Sequence, residues 1–205
     1  MIKLQFNYSV EYEVQRIKNT IKKLDWFKEK GYRLSFPKNL TLENVGSLDE
    51  EDIRKSVVDE YNEDEYREVI EIINKQWSKY SSLLENYFLE TKIRIEDFYE
   101  VKLTKYGVGG SYHLPNTIIT NIQAHYDVSL IKTIIHEIVH LSIQELIEKY
   151  EVEHWKKERI VDLILDKYVS KTSQIKMQNV PIDTTLIDGS FEKHYPNVEE
   201  VIEGL

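Results

Sequence analysis

Residues 129–150 constrain the fold of this chain more than any other stretch. The polar residues Thr133, His136, Glu137, His140, Gln144 and Glu148 recur there at steps of three and four, while Leu130, Ile131, Ile134, Ile135, Ile138, Val139, Leu141, Leu146 and Ile147 cover most of the remaining circumference. That period belongs to an α-helix, and a helix apolar over so much of its surface must be enclosed by other elements on most sides, leaving one narrow polar stripe. At the centre of the stripe stands His136-Glu137-Ile138-Val139-His140. Two histidines four residues apart share one helix face, where both imidazoles reach a single zinc ion, and the glutamate between them lies beside a water the metal can activate. The competing reading is a stripe that simply faces solvent. Against it, the chain is 31% charged and fills its solvated faces with Lys and Glu, as in residues 54–75, so a stripe centred on His, Glu and His is out of character. If enclosed, an unpartnered carboxylate and two imidazoles cost several kcal/mol to desolvate, and a bound cation offsets that cost.

A catalytic zinc site takes three protein ligands and keeps a fourth position open. A second helix is expected over residues 151–169, because Trp155, Val161, Ile164, Leu165 and Tyr168 fall close to one face and no Gly or Pro interrupts them. Glu158 and Asp162 are one turn apart on it. The pair reads as a carboxylate ligand followed by a second carboxylate placed to accept the other ring N–H of a ligating histidine and so fix its tautomer. The spacing between His140 and Glu158 lets the first helix end, turn near Tyr150 and run back beside itself. His154 is the rival third ligand, four residues before Glu158 on a similar face; its plainer alternative is a first-turn histidine near solvent, bonded to Glu151 or Glu158. Glu158 is preferred, since only it is followed one turn on by a carboxylate.

His136-Glu137-x-x-His140 followed by Glu158-x-x-x-Asp162 resembles the gluzincin class of zinc metallopeptidases, and residues 106–166 look like the small bacterial and phage members of that class. The metzincin pattern does not fit, because Ile143 and Leu146 stand where its glycine and third histidine fall. The resemblance implies one Zn²⁺ per chain held by His136, His140 and Glu158, with Asp162 behind a histidine and a peptide or protein as substrate. It implies that Glu137 takes a proton from the attacking water as general base and passes it to the leaving amine. It also implies a Tyr or His that donates to the developing oxyanion. His154, Tyr168, His194 and Tyr195 are the candidates, and among 14 Tyr in the chain spacing does not choose between them.

Before the first helix, residues 101–104 and 117–122 are β-prone runs around a segment containing Gly107, Gly109 and Gly110, so a small sheet is expected beside the helix pair. In gluzincins an edge strand above the active-site helix pairs with the extended substrate. By that resemblance Gly110 and Tyr112 belong to a candidate binding edge; the alternative is an ordinary glycine-rich hairpin turn. The glycines do not form a phosphate loop, since no strand-to-helix unit or Lys-Ser/Thr follows.

The expected fold class is α+β, mainly helical: an active-site helix and a glutamate helix beside a small sheet. Residues 1–90 are read as a helical N-terminal region, 91–170 as the catalytic core and 171–205 as a loop-rich extension, all in one compact domain. Within the first region, residues 2–8 are expected to add a strand, 11–30 one helix ending at Gly31, and 49–87 a helix in two pieces. Residues 40–48 connect them, with Pro37, Asn39 and Gly46 as breakers. The resemblance makes this region a cap or wall for the site. In the extension, Pro181, Gly189 and Pro196 punctuate the chain and one short helix is expected at 197–203. A net charge of −9 with no basic stripe argues against nucleic acid. Without Cys, any metal is left to His and carboxylates. No apolar leader or membrane-length run occurs, and a soluble cytoplasmic protein is expected. The alternative to an enzyme is a module that holds zinc for structure and binds a partner protein or regulates; an intact Glu137 favours the enzyme, because a structural site has no use for a base beside an open position.

Overall fold

Period-two burial marks the sheet. In β2 (Phe98–Thr104) Tyr99, Val101 and Leu103 point into the core, and in β4 (Thr117–Asn121) Ile118 and Thr120 do the same. The computed structural model describes residues 2–41, 44–45, 48–123, 128–169 and 180–205. Its fold is α+β and mainly helical. The sheet has the order β1-β2-β4-β3, with β1 (Lys3–Asn7), β2 and β4 parallel and β3 (Gly110–His113) antiparallel to β4 on the outside. Parallel neighbours need long crossovers, and the first is supplied by four helices. These are α1 (Val10–Lys22), α2 (Leu24–Glu29), α3 (Glu50–Glu60) and α4 (Glu63–Thr91).

After β4 come α5 (Val128–Lys149) and α6 (His154–Val169), then α7 (Thr185–His194) and α8 (Val198–Glu203). Helix α5 lies against β3 and β4 on one side and against α4, α6 and α8 on others, which accounts for its near-complete apolar surface. Ile131, Ile134, Ile135, Ile138 and Ile143 on it are fully buried. Helix α4 presents Tyr66, Val69, Ile73, Trp77, Tyr80, Leu84, Tyr87 and Phe88 to the same core at helical spacing. A second, smaller core joins Val14 and Ile17 of α1 to Ile53 and Val57 of α3 and to Leu40, Val45 and Tyr106. The first 90 residues are thus divided: α4 belongs to the main core, and α1 to α3 build the smaller one. Among the described residues no helix is long and apolar enough to cross a membrane.

Three expectations are corrected. The helix foreseen over 11–30 breaks at Lys23, whose backbone (φ −111, ψ 15) turns its N–H toward Thr20 O, so α2 leaves in a new direction. The second helix begins at His154, because Glu151 adopts φ +52 in the turn that follows α5. The C-terminal segment holds α7 as well as α8. Gly189 sits inside α7, where packing of Ile187 and the paired Arg159–Asp188 contacts (2.7 and 2.8 Å) outweigh its poor helix propensity. Residues 42, 43, 46 and 47 of the expected connection, and 171–179 of the expected extension, lie outside the described residues.

Candidate metal centre

The short turn over residues 150–153 returns the chain so that α6 packs along α5. Apolar positions on both helices face the core, and that fixes which way their polar stripes point. His136 and His140 of α5 and Glu158 of α6 meet: the two Nε2 atoms are 2.9 Å apart, and each is 3.3 Å from Glu158 Oε2. Zinc bonds of about 2.0–2.1 Å at tetrahedral angles place donor atoms roughly 3.3 Å apart, close to what is seen. His140 and Glu158 are buried, and His136 is nearly so. With the ring protons on Nδ1, three lone pairs converge on one point, an arrangement that a cation makes favourable. The donor set therefore fits a zinc ion.

Burial pushes the Glu137 carboxyl up to about 7, with Glu158 adding to the shift and His136, Lys157 and Arg16 opposing it. A carboxyl at that level can give and take a proton near neutral pH. Burial, then the neighbouring His136, holds His140 down to about 4, so it stays neutral. Burial also disfavours charge on His136, but Glu158, Glu137 and Asp162 outweigh it and raise its pKa. For Glu158, burial acts upward and is overcome by His136 and His140, which donate to it when a ring proton sits on Nε2 instead of Nδ1 and so hold it far below the usual carboxylate range.

Asp162 is buried one turn beyond Glu158, and its charge favours protonated His136, in keeping with a place behind that ring. His140 Nδ1, in contrast, is buried with no hydrogen-bond partner among the described residues. Both nitrogens of His154 face other groups: Nδ1 is 3.7 Å from the second oxygen of Glu158, and Nε2 is 2.9 Å from the Tyr32 hydroxyl. It is Glu158, not His154, that joins the two imidazoles.

The site opens into a cleft of about 1250 Å³. Along one side runs β3, the outer strand. Gly110 sits directly against Glu137, and the Tyr112 ring stacks on His140 (centroids 5.1 Å apart, planes at 13°). The Tyr112 hydroxyl donates to Gln144 Oε1 (2.5 Å) and accepts from Lys157 Nζ (3.2 Å). Gly110 and Tyr112 thus lie in a strand edge rather than in a hairpin turn. Of the remaining candidates, only His154 lines the cleft. Tyr168 and Tyr195 bond to each other, with Tyr168 also donating to Glu90 (2.5 Å), and His194 lies 3.1 Å from Glu200. These three are corrected out of the site: Tyr168 lies beyond Asp162 and Leu165, the last α6 residues to reach the cleft, and α7 carries His194, followed by Tyr195, away from it.

Several cleft residues carried no recognised signal. Lys157 precedes Glu158 and lies 3.8 Å from its Oε1. Trp26, Phe27 and Tyr32 arrive from the N-terminal region and line the same cleft. Arg16, buried on α1, donates to Ser111 Oγ (2.7 Å) and Val108 O (3.1 Å) and so ties down the approach to β3. A charged residue on the apolar face beside Val14 and Ile17 was the legible sign of that role. Compared with protein-family models, with curated proteins and with solved structures, the chain finds no match in any of the three.

Proposed function

We propose that this protein is a zinc-dependent metallopeptidase of the gluzincin type, with His136, His140 and Glu158 as ligands and Glu137 as general base. The observation that carries the reading is Glu158 Oε2 at 3.3 Å from both imidazole nitrogens, in the same cleft as the buried Glu137 carboxyl. Zinc held by these three side chains supplies Lewis acidity, lowering the pKa of water toward about 7 and polarising a carbonyl. Glu137 takes the proton of the attacking water as its oxygen bonds to the carbonyl carbon. The same carboxyl then delivers that proton to the amide nitrogen as the C–N bond breaks. Lys157 offers a cation beside the ligand set, suited to the negative charge that develops on the carbonyl oxygen. The outer strand β3 offers backbone groups to an extended peptide, and Arg16 holds its approach in place. We propose a cytoplasmic location for this activity, tested by fractionation of cells expressing the tagged chain.

The test is metal analysis together with cleavage of a peptide library. One zinc per chain, with cleavage that Glu137→Gln abolishes while zinc stays bound, is the expected result. Zinc bound without any cleavage moves the chain to a metal-stabilised binding or regulatory module. Cleavage unaffected by Glu137→Gln removes the role given to that residue.

A further inference from the structure

One part of the cleft lining is made of rings. Trp26 and Tyr32 stack (centroids 5.7 Å, planes at 20°), Phe27 meets Trp26 edge-on at 5.3 Å, and Tyr32 lies parallel to Trp155 at 6.4 Å. The group is pinned to the metal centre through His154, whose ring is 5.3 Å from that of Trp26 and whose Nδ1 is 3.7 Å from Glu158 Oε1. Helix α2, which carries Leu24, Trp26 and Phe27, buries none of its own residues, and Trp26 remains 40% exposed. Leu24 also packs against the smaller core, while Trp26 and Phe27 line the cleft. A large indole face left open in this way, beside other rings, is a surface for apolar and aromatic groups.

An occupant of the cleft meets both β3 and these rings, since both line it. An extended chain along β3 sends alternate side chains to opposite faces at about 3.3 Å per residue. From the ring wall to Glu158 the distance is bridged by a single histidine, so a side chain seated on the wall belongs to a residue close to the reacting bond. We infer that the cleft takes an extended peptide with an aromatic side chain within about three residues of the bond cleaved, its ring seated against Trp26 and Tyr32. This rests on the peptidase reading and names its substrate class.

The test uses zinc-loaded Glu137→Gln protein and fluorescein-labelled, end-blocked alanine peptides that contain a single Phe, a single Leu or neither. Fluorescence anisotropy should give about tenfold tighter binding for the Phe peptide than for the all-alanine peptide, with Leu between them. Trp26→Ala should erase the difference, and Tyr32→Phe, which keeps the ring and loses only the bond to His154, should preserve it. Equal affinity for the Phe and alanine peptides, or a preference that survives Trp26→Ala, overturns the inference. A digest of a peptide pool by the unmodified chain separates the two claims. Glu137-dependent cleavage with no aromatic residue enriched near the cut overturns the aromatic seat and leaves the peptidase; Phe-selective binding with no cleavage keeps the seat and overturns the peptidase.

Discussion

The Glu137 carboxylate occupies the space that a β-carbon on Gly110 would need, and the Thr133 methyl stands 2.7 Å from the same point. Strand β3 and helix α5 meet this closely because residue 110 has no side chain. Gly110→Ala should push the Glu137 side chain aside and, because the stiff Thr133 methyl cannot swing clear, also force β3 and α5 slightly apart. The expected result is a fall of about 10²-fold in peptide cleavage, the scale of a 1 Å misplacement at a reacting centre. Zinc content should stay near that of the unmodified chain while the melting temperature falls, measured by metal analysis and calorimetry.

Ligand assignment is tested by stoichiometry. His136→Ala, His140→Ala and Glu158→Ala should each lose zinc on dialysis, whereas His154→Ala should retain it. A zinc ion that binds only the folded chain would stabilise it, so on the zinc reading a chelator should lower the melting temperature of the unmodified protein and leave that of Glu158→Ala unchanged. Zinc kept by Glu158→Ala but lost by His154→Ala would reverse the assignment.

Lys157 donates to the Tyr112 hydroxyl at 3.2 Å and lies 3.8 Å from Glu158 Oε1. If its charge acts on the developing oxyanion, Lys157→Met should lower kcat by about 10²-fold with little change in KM. Lys157→Arg should recover part of the loss. A raised KM at unchanged kcat would instead mean that Lys157 holds the ground-state substrate.

A pH effect independent of the metal centre arises at Glu13. One of its oxygens accepts from the Tyr66 hydroxyl and from Lys105 N–H, the other is buried without a partner among the described residues, and burial pushes the carboxyl up to about 7. A carboxyl whose folded pKa lies above its ordinary 4.5 favours the folded state fully below 4.5, and that contribution is lost as pH rises through about 7. Glu13→Gln keeps the accepting oxygen and removes the titration. Denaturant melts at pH 5 and pH 8 should show the unmodified chain losing up to about 3 kcal/mol more than Glu13→Gln over that interval. Parallel losses would put the titration elsewhere.

The parts of the site that lie within single helices were legible in the sequence. His136, Glu137 and His140 are fixed by helical period, and Glu158 and Asp162 by their spacing on the next helix; a turn over residues 150–153 was enough to bring the two sets together. The strands read from β-branched runs also formed, and β3 took the outer position. What depended on packing between distant segments was not legible. The bend at Lys23 has no Gly or Pro to announce it, and on that bend depends which way Trp26 and Phe27 face. Tyr168, Tyr195 and His194 had suitable chemistry, but their surroundings are set by Glu90 and Glu200, which no local pattern links to them. Helix α7 escaped notice because Gly189 weakens its local signal, while Asp188, the residue that ties it to Arg159, looks like any surface acid.

Tyr32 and His154 touch across 122 positions of chain. During synthesis from the N-terminus the ring wall emerges early, the two imidazoles much later, and the third donor last of all. A growing polypeptide therefore carries no complete metal cage until residue 158 has left the ribosome and α6 has folded back on α5.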